Sequence, residues 1–157
     1  MSRMPILTLN RTAGGAIAAY RIVTRGADEK TDVQADAASD ALLGVNGPMA
    51  AASGERFDAC VLGLAEVEYG GSVVRGNPLT ADSDGRAIAA TVNGQRIIGV
   101  AWEDGDEGTI GSVLLSPGVM ATTTLAAASV SVADAGGLLT ATNVEAALAE
   151  VATAAAG

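Results

Sequence analysis

Carboxylates are the one plentiful reactive group in this chain, which carries 18 acidic residues against 9 basic ones and no histidine. Two arrangements of them match known chemistry. Glu66 and Glu68 stand two apart in LGLAEVEY, so on a strand both project from one face. Paired carboxyl groups about 5–10 Å apart are the machinery of glycoside hydrolysis. Glu103, Asp104, Asp106 and Glu107 in EDGDEG crowd hard oxygen donors together, as a calcium loop does. Neither arrangement is completed. The aromatic residues are Tyr20, Phe57, Tyr69 and Trp102, too few to supply a sugar platform beside the glutamates. No glutamate closes the acidic run at the offset an EF-hand requires. Solvated strand and turn acids are the simpler reading, and it extends to Asp82 and Asp84 in ADSDGR. Asp28, Glu29, Asp32, Asp36 and Asp40 read as a diffuse acidic face.

The remaining nucleophiles lack activators. Without histidine there is no Ser-His-Asp triad and no imidazole ligand. Ser53, Ser72, Ser112 and Ser116 have no base, and Lys30 is the sole lysine. Cys60, the single cysteine, excludes an internal disulfide and a cysteine-rich zinc site. In the apolar run FDACVLGLAEV it is expected to be a buried small hydrophobe. No GxGxxG or GxxxxGK[ST] motif supports nucleotide binding. We therefore expect no enzyme, no cofactor, no bound metal and no small-molecule substrate. A net charge of −9 repels phosphate backbones, which argues against nucleic acid as a partner. No 18 apolar residues run together, so no membrane span is expected. The N-terminus lacks the apolar core of a signal peptide, so synthesis in a cytoplasm is expected.

The elements that hold these residues are short and punctuated by turns. Hydrophobic residues are 49% of the chain but aromatics only 3%, and 20 glycines accompany them. Such side chains suit strands and tight turns. Residues 1–17 read as an N-terminal arm, in which Ile6, Leu7 and Leu9 follow Pro5 and pair as a strand with something. YRIVTR, TDVQAD, DALLGV, DACVLGLAEVEY, SVVRG, RAIAATV, QRIIGVAW and TIGSVLLSPG follow as strand candidates. The second half of DACVLGLAEVEY mixes its phases, as near a bulge or a sheet edge. Asp84-Gly85 and Asn93-Gly94 supply positive φ for tight hairpins. Turns every 8–12 residues or so predict a mainly β core over 18–118, a small β-barrel or β-sandwich-like body.

After Met120 the composition changes, and 119–157 reads as a linker with a short C-terminal helix. Thr142-x-x-Glu145 reads as a capping box. Val144, Leu148, Val151 and Ala155 fall at i, i+4, i+7 and i+11, one narrow apolar stripe. A helix of about 13 residues is marginal alone in water, so the stripe is expected to dock.

Residues 54–88, GERFDACVLGLAEVEYGGSVVRGNPLTADSDGRAI, resemble phage head decoration proteins, also called capsid cement proteins. The match lies in the AEVEYGG strand and turn, the RGNPLTAD-x-DGRAI run and the later RIIGVA and IGSVLLSPG pieces, and it extends over about residues 19–118. TATNVEAALAEV, within residues 132–151, is similar to a segment that recurs in assorted phage virion proteins. The resemblance implies a small β module that binds the outer surface of a phage capsid and cements the head shell. Its implied partners are the major capsid protein and two further copies in a homotrimer, in a virion assembled in a bacterial cytoplasm. A tail or fibre-associated structural protein is the alternative. Ile6, Leu7 and Leu9 on the arm and Val144, Leu148 and Val151 on the helix are the expected capsid or subunit contacts.

Overall fold

The computed structural model describes residues 3–121, 127–133, 136, 137 and 139–156. The chain forms two compact units, Met1–Ala121 and Thr122–Gly157. Among the described residues the first unit has nine strands: β1 (Met4–Ala13), β2 (Ile22–Arg25), β3 (Thr31–Gln34), β4 (Leu42–Asn46), β5 (Arg56–Glu68), β6 (Pro78–Ala81), β7 (Ala87–Ala89), β8 (Arg96–Ala101) and β9 (Ile110–Val119). Their order is β1-β3-β2-β4-β5-β9-β8-β6-β7, and β1 also pairs along β5. That extra pairing joins β1, β3, β2, β4 and β5 into a ring, from which β9, β8, β6 and β7 extend as an open sheet. The fold is mainly β and sandwich-like, as the turn spacing leads one to expect, without being a true barrel.

Residues 1–17, read from sequence as an arm, hold β1 from Met4 onward. It runs antiparallel to β5 from Met4↔Leu64 to Thr12↔Arg56, and Thr12 and Ala13 then pair in parallel with Thr31 and Asp32 of β3. The apolar alternation of this stretch is thus matched by a strand of its own chain.

Local turn chemistry sets several of the connections. Asp28 takes the N–H groups of Lys30 and Thr31 at 2.9 Å each, folding GADEK into the β2–β3 turn. Asp82 does the same for Asp84 and Arg86 in the β6–β7 hairpin, where Gly85 has φ +69°. Asn93-Gly94 is a turn with φ +88° at the glycine, but it does not close the expected hairpin. Its flanking strands β7 and β8 both pair with β6, which lies between them. A turn signal reports local backbone geometry and carries no information about which strands meet. SVVRG, expected as a strand, has a single bridge, Val73 to Gly105.

Two apolar clusters sit on opposite faces of the first half of β5. Phe57 and Ala59 pack with Ala13, Ile17, Val23 and Ala51. Cys60 faces the larger cluster, which includes Ile22, Val45, Tyr69, Leu79, Ile98 and Val113. Beyond Gly63 the odd-numbered Ala65 and Val67 join that larger cluster, so the strand has changed phase. Gly63 has φ +105°, and a Cβ there would lie 2.5 Å from the carbonyl oxygen of Met4. Only glycine fits both the backbone angle and the close approach.

Asp32 corrects the sequence reading, which placed it on a diffuse acidic face. Its carboxylate is fully buried and takes two hydrogen bonds from Arg11, at 2.6 and 3.1 Å, with Arg25 3.6 Å away. The ion pairs tie β1, β3 and β2 together where the ring closes. Burial is tolerated because the bidentate guanidinium replaces lost water.

Tyr69 is the other buried anchor. Its ring lies against Gly105 and Gly111, where a Cβ would come within 2.7 and 2.3 Å of ring atoms. Its hydroxyl donates toward the carbonyl oxygens of Glu103, at 3.1 Å, and Ser112, at 3.3 Å. Burial, with smaller contributions from the charges of Glu103 and Asp104, pushes its ionisation up to about 12.

The second unit is built around α1 (Val144–Ala155), which starts where the sequence places it. Its cap is Asn143, whose side chain takes the N–H of Ala146 at 2.9 Å; Thr142 of the expected capping box lies one residue outside. The Thr142 carbonyl instead accepts from Val132, and Val144 donates to Val130, so a short bridge sets the helix start. Glu150 holds the preceding turn through the N–H groups of Thr140 and Ala141. The low-complexity stretch from 122 lies partly outside the described residues.

Asp32→Asn is expected to cost about 3 kcal/mol, since it strands a buried arginine contact; urea denaturation of the two proteins measures it. Tyr69 gives a pH signature. Its raised ionisation means that its contribution is whole below the ordinary pKa of about 10 and is lost as pH rises through about 12. The stability margin of wild type over Tyr69→Phe is therefore expected to shrink by roughly 2–3 kcal/mol between pH 9 and pH 12.

Candidate functional site

Most of the acidic residues singled out by sequence hold structural contacts, while Glu66 is half-buried on β5 beside Val67. Glu103 takes the Ser112 hydroxyl at 2.8 Å, and Asp104 takes the N–H of Arg75 at 2.7 Å. Arg86 bridges Asp82, Asp84 and Glu107 at 2.9, 3.3 and 3.1 Å. Glu68 is paired with Arg21 at 2.7 Å. Among the described residues no three histidine, cysteine, aspartate or glutamate side chains are grouped to hold a metal ion. Cys60 is buried, as expected, and burial pushes its thiol ionisation up, away from the reactive thiolate.

One cleft, about 710 Å³, has walls that include Arg3, Asn10, Asn46, Met49, Arg56 and Asp58. Its amides are tied down. Asn46 donates to the carbonyls of Ala18 and Met49, and Asn10 donates to Asp58 at 2.8 Å while accepting from Arg56 at 2.6 Å. The cleft is a braced seam between strands, with no nucleophile and base set together.

The unusual feature of the sheet unit is an uncovered apolar row on the face opposite the core. Register places Val100 across from Leu114, Leu114 across from Leu64, and Leu64 across from Met4. Four strands, β8, β9, β5 and β1, thus present apolar side chains in one line. Leu64 is nearly buried, but Leu114 is 43% exposed and Met4 70%. Trp102 extends the row from Val100 and stays half exposed, with the Arg75 guanidinium 5.9 Å from its ring centre. Ile6, at 77%, with Leu7 and Leu62 lies at the β1 end, where the register shifts on both strands. Exposed apolar side chains gathered on one face are characteristic of interaction sites, and here they lie on either side of the buried Leu64.

The expected contact residues fall into two sets, one in each unit. Ile6 and Leu7 on β1 are exposed, while Leu9 is half-buried. On α1, Leu148 and Val151 are exposed and Val144 half-buried, while the helix's one buried residue is Ala147. Sequence reasoning missed Met4, Val100, Trp102 and Leu114. The signal was the run Val113-Leu114-Leu115, which has one apolar residue more than a sheet with a single buried face requires.

A family profile described as phage cement protein matches residues 1–117. Among solved structures the chain is similar to the N base of the head fibre gp8.5 of bacteriophage phi29, with 18% identity and a TM-score of 0.56. The likeness covers 70% of this chain and 93% of that one, and at this identity it concerns the fold. No curated protein matches the chain.

Because Val100 and Leu114 stand outside the core, Val100→Thr with Leu114→Thr is expected to change stability by less than about 1 kcal/mol. Val113→Thr, fully buried beside them, is expected to cost about 1–3 kcal/mol. Chemical denaturation of the two variants beside wild type checks both.

Proposed function

The chain belongs to the phage cement protein family, and from that premise we propose that it binds the outer surface of the head shell and clamps neighbouring copies of the major capsid protein. Capsid binding and a structural role in the virion follow from the family. The outer face, the identity of the capsid partner, assembly as a homotrimer and production in the host cytoplasm are the finer parts of the proposal. So is the absence of catalysis, supported by the commitment of Glu68, Asp82, Asp84, Glu103, Asp104 and Glu107 to arginines, a backbone amide and a serine.

The observation that carries the reading is the uncovered row Val100, Leu114 and Met4 with Trp102 beside it. Apolar burial contributes roughly 25 cal/mol per Å² before the costs of association are subtracted. On a shell the same contact repeats at every site, so a modest gain per copy accumulates over the particle. The net charge of −9 keeps free copies apart in solution until a matching surface is met.

The test uses particles that lack the protein, with purified chain added back. Saturable binding in hundreds of copies per particle, and a higher temperature of shell rupture, are expected. A handful of copies per particle would favour the tail or fibre reading, and none would overturn capsid binding. Met4→Asp with Leu114→Asp is expected to lower affinity at least tenfold while the far-UV spectrum is unchanged. Deleting residues 1–15 is a poor substitute, because it removes β1 from the sheet.

A further inference from the structure

Glu66 stands apart from the acids around it. Glu68 is paired with Arg21, Asp104 takes the N–H of Arg75, and Glu103 takes the hydroxyl of Ser112. Glu66 itself has no side-chain hydrogen bond and no ion pair among the described residues. The Ser112 hydroxyl, directly across from it, has its one proton directed at Glu103.

Its place in the sheet gives this significance. Past Gly63 the odd-numbered Ala65 and Val67 face the larger cluster, so Glu66 shares the opposite face with Leu64. The two lie about 7 Å apart along the strand. Register sets Glu66 across from Ser112, whose carbonyl accepts the N–H of Trp102 at 2.8 Å. Trp102, Ser112 and Glu66 thus form a second line, one pleat on from Val100, Leu114 and Leu64. A partner that covers both Leu114 and Trp102 covers Glu66 as well.

A carboxylate taken out of water without a counter-charge is costly, whereas one that meets a cation adds specificity. The arginines described near this face are already engaged. Arg21 is held by Glu68, and Arg75 lies over Trp102, 5.9 Å from the ring centre. Two copies laid face to face would bury a Glu66 from each, with only these committed arginines to answer them. Each copy also brings a net charge of −9, which opposes their approach. The complementary charge is that of a basic side chain on a different protein.

We propose that the apolar row and Glu66 together receive a segment of the shell protein, whose apolar side chains lie on Leu114 and Trp102 and whose lysine or arginine reaches the Glu66 carboxylate. The inference rests on the capsid-binding reading and specifies the chemistry of the partner at that same surface.

The experiment adds the full chain, as wild type, Glu66→Gln or Glu29→Gln, to particles lacking the protein. Glu66→Gln keeps the shape of the side chain and removes its charge. Glu29→Gln makes the same change in the β2–β3 turn, outside the row. Glu66→Gln is expected to melt as wild type does, to bind about tenfold more weakly or worse at low salt, and to lose much of the salt dependence of wild type. Glu29→Gln is expected to bind as wild type does. Carboxyl labelling with a carbodiimide and an amine, read by mass spectrometry, is expected to modify Glu66 several-fold less on the particle than in the free protein. Should Glu66→Gln fail to fold, the labelling and the salt dependence of wild type decide together. Binding by a folded Glu66→Gln that equals or exceeds that of wild type would overturn the contact, as would an equal loss in Glu29→Gln. So would a bound Glu66 labelled as fast as the free one, or wild-type affinity that does not fall with salt. A free wild-type oligomer in light scattering that Glu66→Gln dissociates would assign the carboxylate to a second copy and overturn it too. Wild type that does not bind particles at all would instead overturn the capsid-binding reading.

Discussion

The change of phase in β5 is the constraint on which the sheet unit depends. A strand whose side chains alternate without interruption can serve only one core on each face along its length. Here the first half must place Phe57 and Ala59 in the smaller cluster, and the second half must place Ala65 and Val67 in the larger one. All four are odd-numbered, so one irregularity has to intervene. Gly63 supplies it, with a positive φ and a close approach to the backbone of Met4 and Ile6. The same strand then serves β1 and β4 on opposite edges near Ala59 and Cys60, and later β9. Ring and open sheet are two halves of one strand's pairing.

With so few aromatics, the core achieves its density by close approach. Tyr69 occupies space that the missing side chains of Gly105 and Gly111 leave, and its hydroxyl is satisfied by two carbonyls. Gly44 and Gly99 play a comparable part, since a Cβ at either would meet a backbone oxygen of the neighbouring strand within 2.3 Å. The large glycine content is thus partly a packing device. Elsewhere it is turn chemistry.

Much of this was legible in the residues. DACVLGLAEVEY showed mixed phases, and the irregularity sits inside it. Asp28 and Asp84-Gly85 marked real turns, and the stripe starting at Val144 marked α1 correctly. What escaped was long-range. Asn93-Gly94 announces a turn but cannot say that β6 inserts between the strands it joins. Asp32 looks like any of five spaced acids until Arg11, 21 residues away, closes on it. The surface row escaped for a related reason: Met4, Leu64, Leu114 and Val100 come from four strands, and only register aligns them. A single strand's pattern says which residues share a face, and leaves open whether that face is covered.

The pairing of β1 with β5 has a bearing on how the polypeptide is made. Thr8 meets Cys60, so during synthesis β1 has no mate on β5 until about fifty residues more have emerged. At roughly 5–20 residues per second that is an interval of several seconds. Throughout it, PILTLN is an unsatisfied, uncharged β-former in a crowded cell. Contacts so distant along the chain also slow folding, because loop closure precedes any reward. Early exposure of this segment makes nascent-chain chaperones and low synthesis temperature the conditions under which yield is decided.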